Sequence, residues 1–307
     1  MQRLASRFPS SPTDFTLLYL GSNWLPRDLR ALLWLARRRR VPIVVNQNGV
    51  GYPAWAGEQA DAVNRPLRLA LLAAQHVLYQ SEFCKRSADE FLGPPSGSWE
   101  ILYNAVDVDR FVPAPGAIGD GPVLLAGGDQ THASYRLELA LRTFALVLAA
   151  HPRARLIVTG QLLADPARLV SALGLSGHVD FVGRYSQAEA PSLYRRAHLL
   201  LHTQMNDCCS SVVLEAMACG LAVVHPASGG TVELVGDVAG VGVPHEASWD
   251  RLDPPSAEAM AAAVERVLDE LPAFSAAARR RATEQFSLAP WLERHAELFE
   301  MLTERRA

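Results

Sequence analysis

Residues 199–237 read LLLHTQMNDCCSSVVLEAMACGLAVVHPASGGTVELVGD. An apolar run at 199–201 enters a polar loop, a short helical stretch stops at Gly220, a second apolar run fills 221–224, and a Gly-Gly turn opens another helix. That alternation is strand–helix–strand–helix, the unit of a doubly wound parallel sheet. Ligands of such sheets bind outside the carboxyl ends of the strands. Asp207 lies in the loop that follows the first strand, and Glu215 lies two turns into the helix, so two carboxylates and a helix N-terminus converge on one crevice.

The stretch resembles the donor-site signature of retaining glycosyltransferases of the GT-B fold, in the GT4 family. That signature is an acid, seven residues, Glu, an Ala-Met-Ala-Cys-Gly-like helix end, a Gly-Gly turn and Glu-Leu. Here the matching residues are Asp207, Glu215, Ala216-Met217-Ala218-Cys219-Gly220, Gly229-Gly230 and Glu233-Leu234. The first acid of the family is normally Glu, and this chain carries Asp. Ser81-Glu82-Phe83 and Asn104-Ala105-Val106-Asp107 are similar to the family's close of the first domain.

The resemblance implies an α/β chain of GT-B architecture, two Rossmann-like parallel-sheet domains facing across a cleft. Residues 1–113 form a shortened acceptor-side domain, 114–286 the nucleotide-sugar domain, and 287–307 a helix crossing back to the first. The implied activity is retaining, metal-independent transfer of a hexose from a nucleotide diphosphate sugar (UDP- or GDP-linked) to a hydroxyl acceptor, with no cofactor beyond that co-substrate. The acceptor is a carbohydrate, a lipid-linked molecule or a small molecule. The alternative is a GT-B binding or partner subunit that needs a second chain, because the family's glycine-rich acceptor loop has no counterpart before Phe15.

Implied roles fall on particular residues. Glu215 accepts hydrogen bonds from the ribose hydroxyls, and Asp207 holds donor-sugar hydroxyls near the reacting carbon. Phosphate suits the unpaired amides of a helix N-terminus. Ser210 and Ser211 are the candidate caps, with the amides of Cys209, Ser210, Ser211 and Val212 facing the crevice and Cys208 beside them. The family places two cations after the first strand of the second domain. Residues 126–136 carry Gly128 there, lack the expected Arg, and put Tyr135 near the expected Lys. Arg136 is the nearest cation, either a diphosphate ligand or a surface residue at a helix start. A family His after the strand at 43–45 is replaced by Asn48-Gly49, an acceptor-side pair or simply a turn.

Composition narrows the field. The 307 residues suit two domains, and a net charge of -3 gives no electrostatic case for nucleic acid. No apolar run reaches the ~18 residues of a membrane span, and the first residues lack the apolar core of a signal peptide. The four cysteines lack a C-x-x-C pairing, which suits reduced thiols in the cytoplasm. Arg37 to Arg40 close a helix where cations favour the dipole, as a solvated end or as a contact with anionic lipid at the membrane periphery or with a protein partner. Asp107-Val108-Asp109 spells a metal motif of another transferase fold, but its strand-to-linker context argues against a metal. His198 and His202 share one strand face without a third ligand, so a core role is expected.

Periodicity places strands at 15–20, 41–45, 76–80, 100–103, 122–126, 156–159 and 179–182. Helices are expected at 29–40, 66–74, 81–91, 135–150, 164–173, 188–196, 257–271, 276–285 and 291–306. The Pro/Gly-rich stretch 112–121 is the linker candidate.

Overall fold

A computed structural model describes residues 2–5, 7–11, 13–116, 119–129 and 135–304. The segment 130–134 of the glycine-rich loop and the expected end of the last helix at 305–306 lie outside the described residues. The chain forms two compact units, Met1–Asn104 with Ser248–Leu252 and Leu288–Ala307, and Ala105–Ala247 with Asp253–Ser287.

In the first unit, β1 (Leu18–Gly21), β2 (Ile43–Gln47), β3 (His76–Tyr79) and β4 (Ser98–Ile101) lie side by side in that order, all parallel. Every residue of β2 and β3 is buried, which is why both read as continuous rather than alternating runs. The helix Leu29–Arg38 buries Leu29, Leu33 and Ala36 and exposes the face carrying Arg30, Trp34, Arg37 and Arg38. It stops two residues short of the expected Arg40, whose φ of 55° breaks the repeat while Val41 N–H closes onto the Ala36 carbonyl. The next long helix, Ala60–Ala73, starts six residues before expected and carries Pro66 inside it. Ser81 caps Glu82–Phe91 by accepting from Cys84 N–H. The last helix, Leu288–Glu304, packs Leu298 and Leu302 against Val44 and Leu78.

The second unit is a sheet of β5 (Val123–Ala126), β6 (Arg155–Thr159), β7 (Val179–Gly183), β8 (Leu199–Leu201), β9 (Ala222–Pro226) and β10 (Gly240–Val243). Its spatial order is β10-β9-β8-β5-β6-β7, all parallel. Renumbered from β5, that is the 3-2-1-4-5-6 order of a dinucleotide-binding fold. Helices Tyr135–Ala150 and Ala257–Asp269 bury Leu139, Phe144, Val147, Met260 and Val264 in one core with Leu124, Leu156 and Leu199. Strand β10 escaped the sequence reading, since its two glycines break the apolar run.

The change of unit falls at Asn104/Ala105 rather than at residue 113. Val106 bridges to Ser287, and the Arg279 guanidinium donates to the carbonyls of Val108, Phe111 and Ala218. Those bonds tie 105–111 to the second unit. Because the strand order reverses between β5 and β8, with β6 and β7 laid down on one side and β9 and β10 on the other, the loops after these two strands flank the switch point of the sheet. An open α/β sheet keeps its ligands there.

Candidate functional site in the second unit

The helix Ser211–Ala218 follows β8 and carries Glu215, only 2% exposed. Its Oε2 accepts from the Tyr194 hydroxyl at 3.0 Å and its Oε1 from Gln187 Nε2 at 3.3 Å. Tyr194 Oη lies 3.4 Å from Tyr185 Oη, and Tyr185 bonds the Thr159 side chain. Thr159 Oγ1 accepts from Gly128 N–H at 3.2 Å. A chain of hydroxyls thus runs from the signature helix to the glycine loop after β5. Burial first, then the Glu215 charge, pushes the Tyr194 phenol well up, so it remains a neutral donor. Tyr185, Gln187, Tyr194 and Thr159 carry no local signal in the sequence, and only the strand order puts them beside Glu215.

Asp207 is bound into its own loop. Its carboxylate accepts from the Ser210 hydroxyl and from the backbone N–H groups of Cys209 and Cys208. Burial pushes its pKa up, opposed by those bonds and by the Arg136 charge. This corrects two expectations. Ser210 occupies the N-cap position but makes no side-chain cap bond, because its hydroxyl is on Asp207. The Cys209 amide points to the same carboxylate rather than to an open crevice. Ser211 and Val212, in the first helical turn, keep amides without an intrahelical acceptor.

The loop's path is fixed from outside. Asp207 carbonyl accepts from Gly230 N–H at 2.7 Å, and Asn206 N–H, on a residue with φ 54°, donates to Ser228 Oγ at 3.0 Å. Tyr135, in the place of the family's Lys, accepts the Met205 amide at 3.0 Å. It holds the loop but supplies no charge.

Arg136 is 4% exposed, which overturns its reading as a surface residue. Its guanidinium donates to the carbonyls of Asp129 and Gly127, and its Nε has no partner among the described residues. Burial lowers its pKa against the pull of Tyr135, Asp207 and Asp129. A Cβ built on Gly128 would stand 3.7 Å from Arg136 Nη2 and 3.6 Å from Val212 Cγ2. The glycine loop, the buried cation and the start of the signature helix therefore share one spot. Gly160, with φ 86°, presses onto the same loop, since a Cβ there would meet Gly128 O at 2.4 Å.

Asn48 and Gly49 belong to the first unit, after β2. Asn48 Oδ1 accepts from Gly49 N–H at 2.7 Å and Asn48 N–H donates to Ser22 Oγ at 2.8 Å, the bonding of a turn. Asp107 Oδ1 accepts from the backbones of Asp109 and Arg110, so it braces a turn as well. His198 Nδ1 accepts from Val123 N–H. The cysteines are all free and buried.

Two histidines are held neutral near this loop. Burial takes His225 down to about 4 and His202 well below the imidazole range. An unfolded chain takes up these protons near about 6.5, whereas the folded one refuses them. Stability from these rings is therefore full above that value. It falls with pH by about 1.4 kcal/mol per unit per ring, His225 levelling off at about 4. Thermal melts are expected to show Tm dropping as pH falls from about 7 to about 5. The drop should be shallower in His225→Phe, and a Tm flat across that range would contradict the assignment.

Residues 116–285 match the family model described as Glycosyl transferases group 1. Over 221 residues, 66% of this chain and 46% of the relative, the chain is 27% identical to a D-inositol 3-phosphate glycosyltransferase of Mycobacterium tuberculosis. It is 22% identical over 176 residues, 56% of this chain and 38% of the relative, to the phosphatidylinositol N-acetylglucosaminyltransferase gpi3 subunit of Schizosaccharomyces pombe. The chain thus spans less than half the length of these curated relatives. Among solved structures it resembles a sucrose-phosphate synthase from Thermosynechococcus elongatus, with a TM-score of 0.74 at 17% identity over 99% of this chain and 76% of that one. It also resembles Anabaena HepE in complex with UDP and glucose, with a TM-score of 0.74 at 18% identity over 93% and 78%.

Proposed function

The chain belongs to the glycosyl transferases group 1 family, and from that premise we propose that its second unit binds a nucleotide diphosphate sugar and donates the hexose, with retention and without a metal, to a hydroxyl acceptor. The observation that carries this reading is the joining of Asp207, Glu215, Arg136 and the start of the helix Ser211–Ala218 at the switch point of the sheet. In the reaction, the bond from the anomeric carbon to the diphosphate oxygen breaks with its electron pair going to the phosphate. The acceptor oxygen bonds that carbon on the same face, and its proton passes to the departing phosphate.

Each group has work suited to its surroundings. The amides of Ser211 and Val212, with the helix dipole, meet diphosphate charge, and the guanidinium of Arg136 adds positive potential from beneath the glycine loop. Glu215, steadied by Tyr194 and Gln187, is a carboxylate, the acceptor type suited to ribose hydroxyls. Asp207 has Oδ lone pairs left for the sugar. UDP is the first nucleotide to test, because a structural neighbour is in complex with UDP and glucose.

The acceptor reading extends to lipid-linked alcohols. The exposed face of Leu29–Arg38 offers Arg30, Arg37 and Arg38 around Trp34, which is 63% exposed, and Trp24 just before it is 79% exposed. Exposed tryptophans among cations suit an anionic lipid interface. Among the described residues no helix is long and apolar enough to cross a membrane.

Isothermal titration with UDP, GDP and ADP, followed by turnover assays of the matching glucose donors with soluble acceptors and with acceptors in anionic vesicles, tests the whole reading. UDP binding weakened about 10-fold by Glu215→Gln is expected, the scale of a lost charge-assisted hydrogen bond. Absence of binding to any of the nucleotides would sink the enzyme reading. Binding without turnover would favour a partner subunit, the role that the name of the fission yeast relative suggests.

A further inference from the structure

We propose that His202 is a positioning residue of the donor site. Its imidazole turns the Asp207 carboxylate into the orientation in which that group meets the donor sugar. The proposal rests on the donor-site reading above.

His202 is the first residue after β8, with its backbone N–H fixed to the Val224 carbonyl at 2.8 Å and its side chain 1% exposed. Both ring nitrogens lack a hydrogen-bond partner among the described residues. A buried ring in that state is costly, and a leucine there would fill the space without the penalty. Unpaired buried polar groups ask for an explanation, and a ligand-dependent bond is one. Nε2 stands 3.7 Å from Asp207 Oδ2, beyond hydrogen-bond range yet within reach of a small rotation of the carboxylate.

The groups around the ring set its form. Arg136 and His225 face it with positive or potentially positive charge, and burial acts in the same direction. The ring is neutral and has one N–H to give. Asp207 is occupied by Ser210, Cys209 and Cys208. Sugar hydroxyls arriving at the carboxylate compete with those bonds. As the carboxylate turns, Nε2–H takes Oδ2 and leaves Oδ1 directed at the sugar. His202 touches no substrate and acts through Asp207.

The experiment uses the full chain, with UDP and UDP-glucose as probes, and compares the wild type with His202→Leu and His202→Gln. Gln carries an amide N–H to nearly the same place, so it can restore the donor without the ring. For His202→Leu the expected results are a Tm equal to or above that of the wild type, UDP affinity within about twofold, and kcat with UDP-glucose about 10-fold lower. His202→Gln is expected to recover most of that kcat. A kcat unchanged in His202→Leu, a loss that follows a fall in Tm, or a Gln variant no better than Leu would each overturn the proposal while leaving the donor site standing. Wild-type protein inert toward UDP, GDP and ADP and toward their glucose derivatives would remove the donor-site reading, and this role with it.

Discussion

Asp207→Ala is expected to lower turnover by about 10³-fold and to lower stability by about 2 kcal/mol. The two effects have separate origins. In the fold, the carboxylate gathers the Cys208 and Cys209 amides and the Ser210 hydroxyl, and alanine strands all of them in a buried loop. It also strips negative charge from the neighbourhood of Arg136, which is buried with an unpartnered Nε. At about 2–4 °C per kcal/mol for a unit of this size, Tm should fall by about 4–8 °C. In the reaction, the lost group is the one proposed to meet the sugar as positive charge develops on it.

Asp207→Asn separates these contributions. An amide oxygen still accepts from the loop, so most of the Tm should return, while turnover stays about 10²-fold down because the charge is gone. Asp207→Glu restores the acid usual in the family but adds a methylene to a carboxylate that is already bound on three sides. It is expected to lose loop bonds and to fall between the two. Melting curves and kcat for the three variants check this. An Asn variant as active as wild type would exclude a charge role for Asp207.

The sequence carried the second unit well because its signals are local. Tyr135–Ala150 begins and ends where the periodicity puts it, and β5 to β9 follow from apolar runs bounded by turns. Asp207 and Glu215 stand out as candidates in the sequence because the spacing across one loop and helix is itself the motif. The resemblance to GT4-type transferases holds in the family match and in the GT-B neighbours. What stayed hidden depends on residues far apart in the chain. Tyr194 meets Glu215 only because the helix Ala190–Tyr194 lies against Ser211–Ala218, and Thr159 arrives through β6. Arg136 reads as either a diphosphate ligand or a surface cation at a helix start, and only its burial against the Gly127 carbonyl removes the second. Ser210 reads as a cap, and no local rule says that its hydroxyl belongs to Asp207 instead. The missing strand β10 is the plainest case, since Gly240 and Gly242 remove the very periodicity that would announce it.

Gly229→Ala is the second large effect, expected to cost the second unit at least about 3 kcal/mol and about 6–12 °C in Tm. Two penalties stack at this position. Its φ of 67° lies in the left-handed region, worth ~1–2 kcal/mol against an L side chain. A Cβ there would also stand 2.5 Å from Asp207 O, 2.7 Å from Asp207 N and 2.9 Å from Asn206 C. All three are backbone atoms, so no rotamer change relieves the contact. The loop carrying Asp207 must move, breaking the bond from Gly230 N–H to the Asp207 carbonyl and, with it, the proposed sugar contact. Gly177→Ala is the control, because Gly177 has φ 81° with nothing within 4 Å of its built Cβ. It should show the left-handed penalty alone and leave UDP binding intact. Equal Tm losses for the two variants would mean that the loop yields without cost. Asp207 would then not be held in place by the Gly-Gly turn, and the signature's conjunction of turn and acid would need another physical explanation.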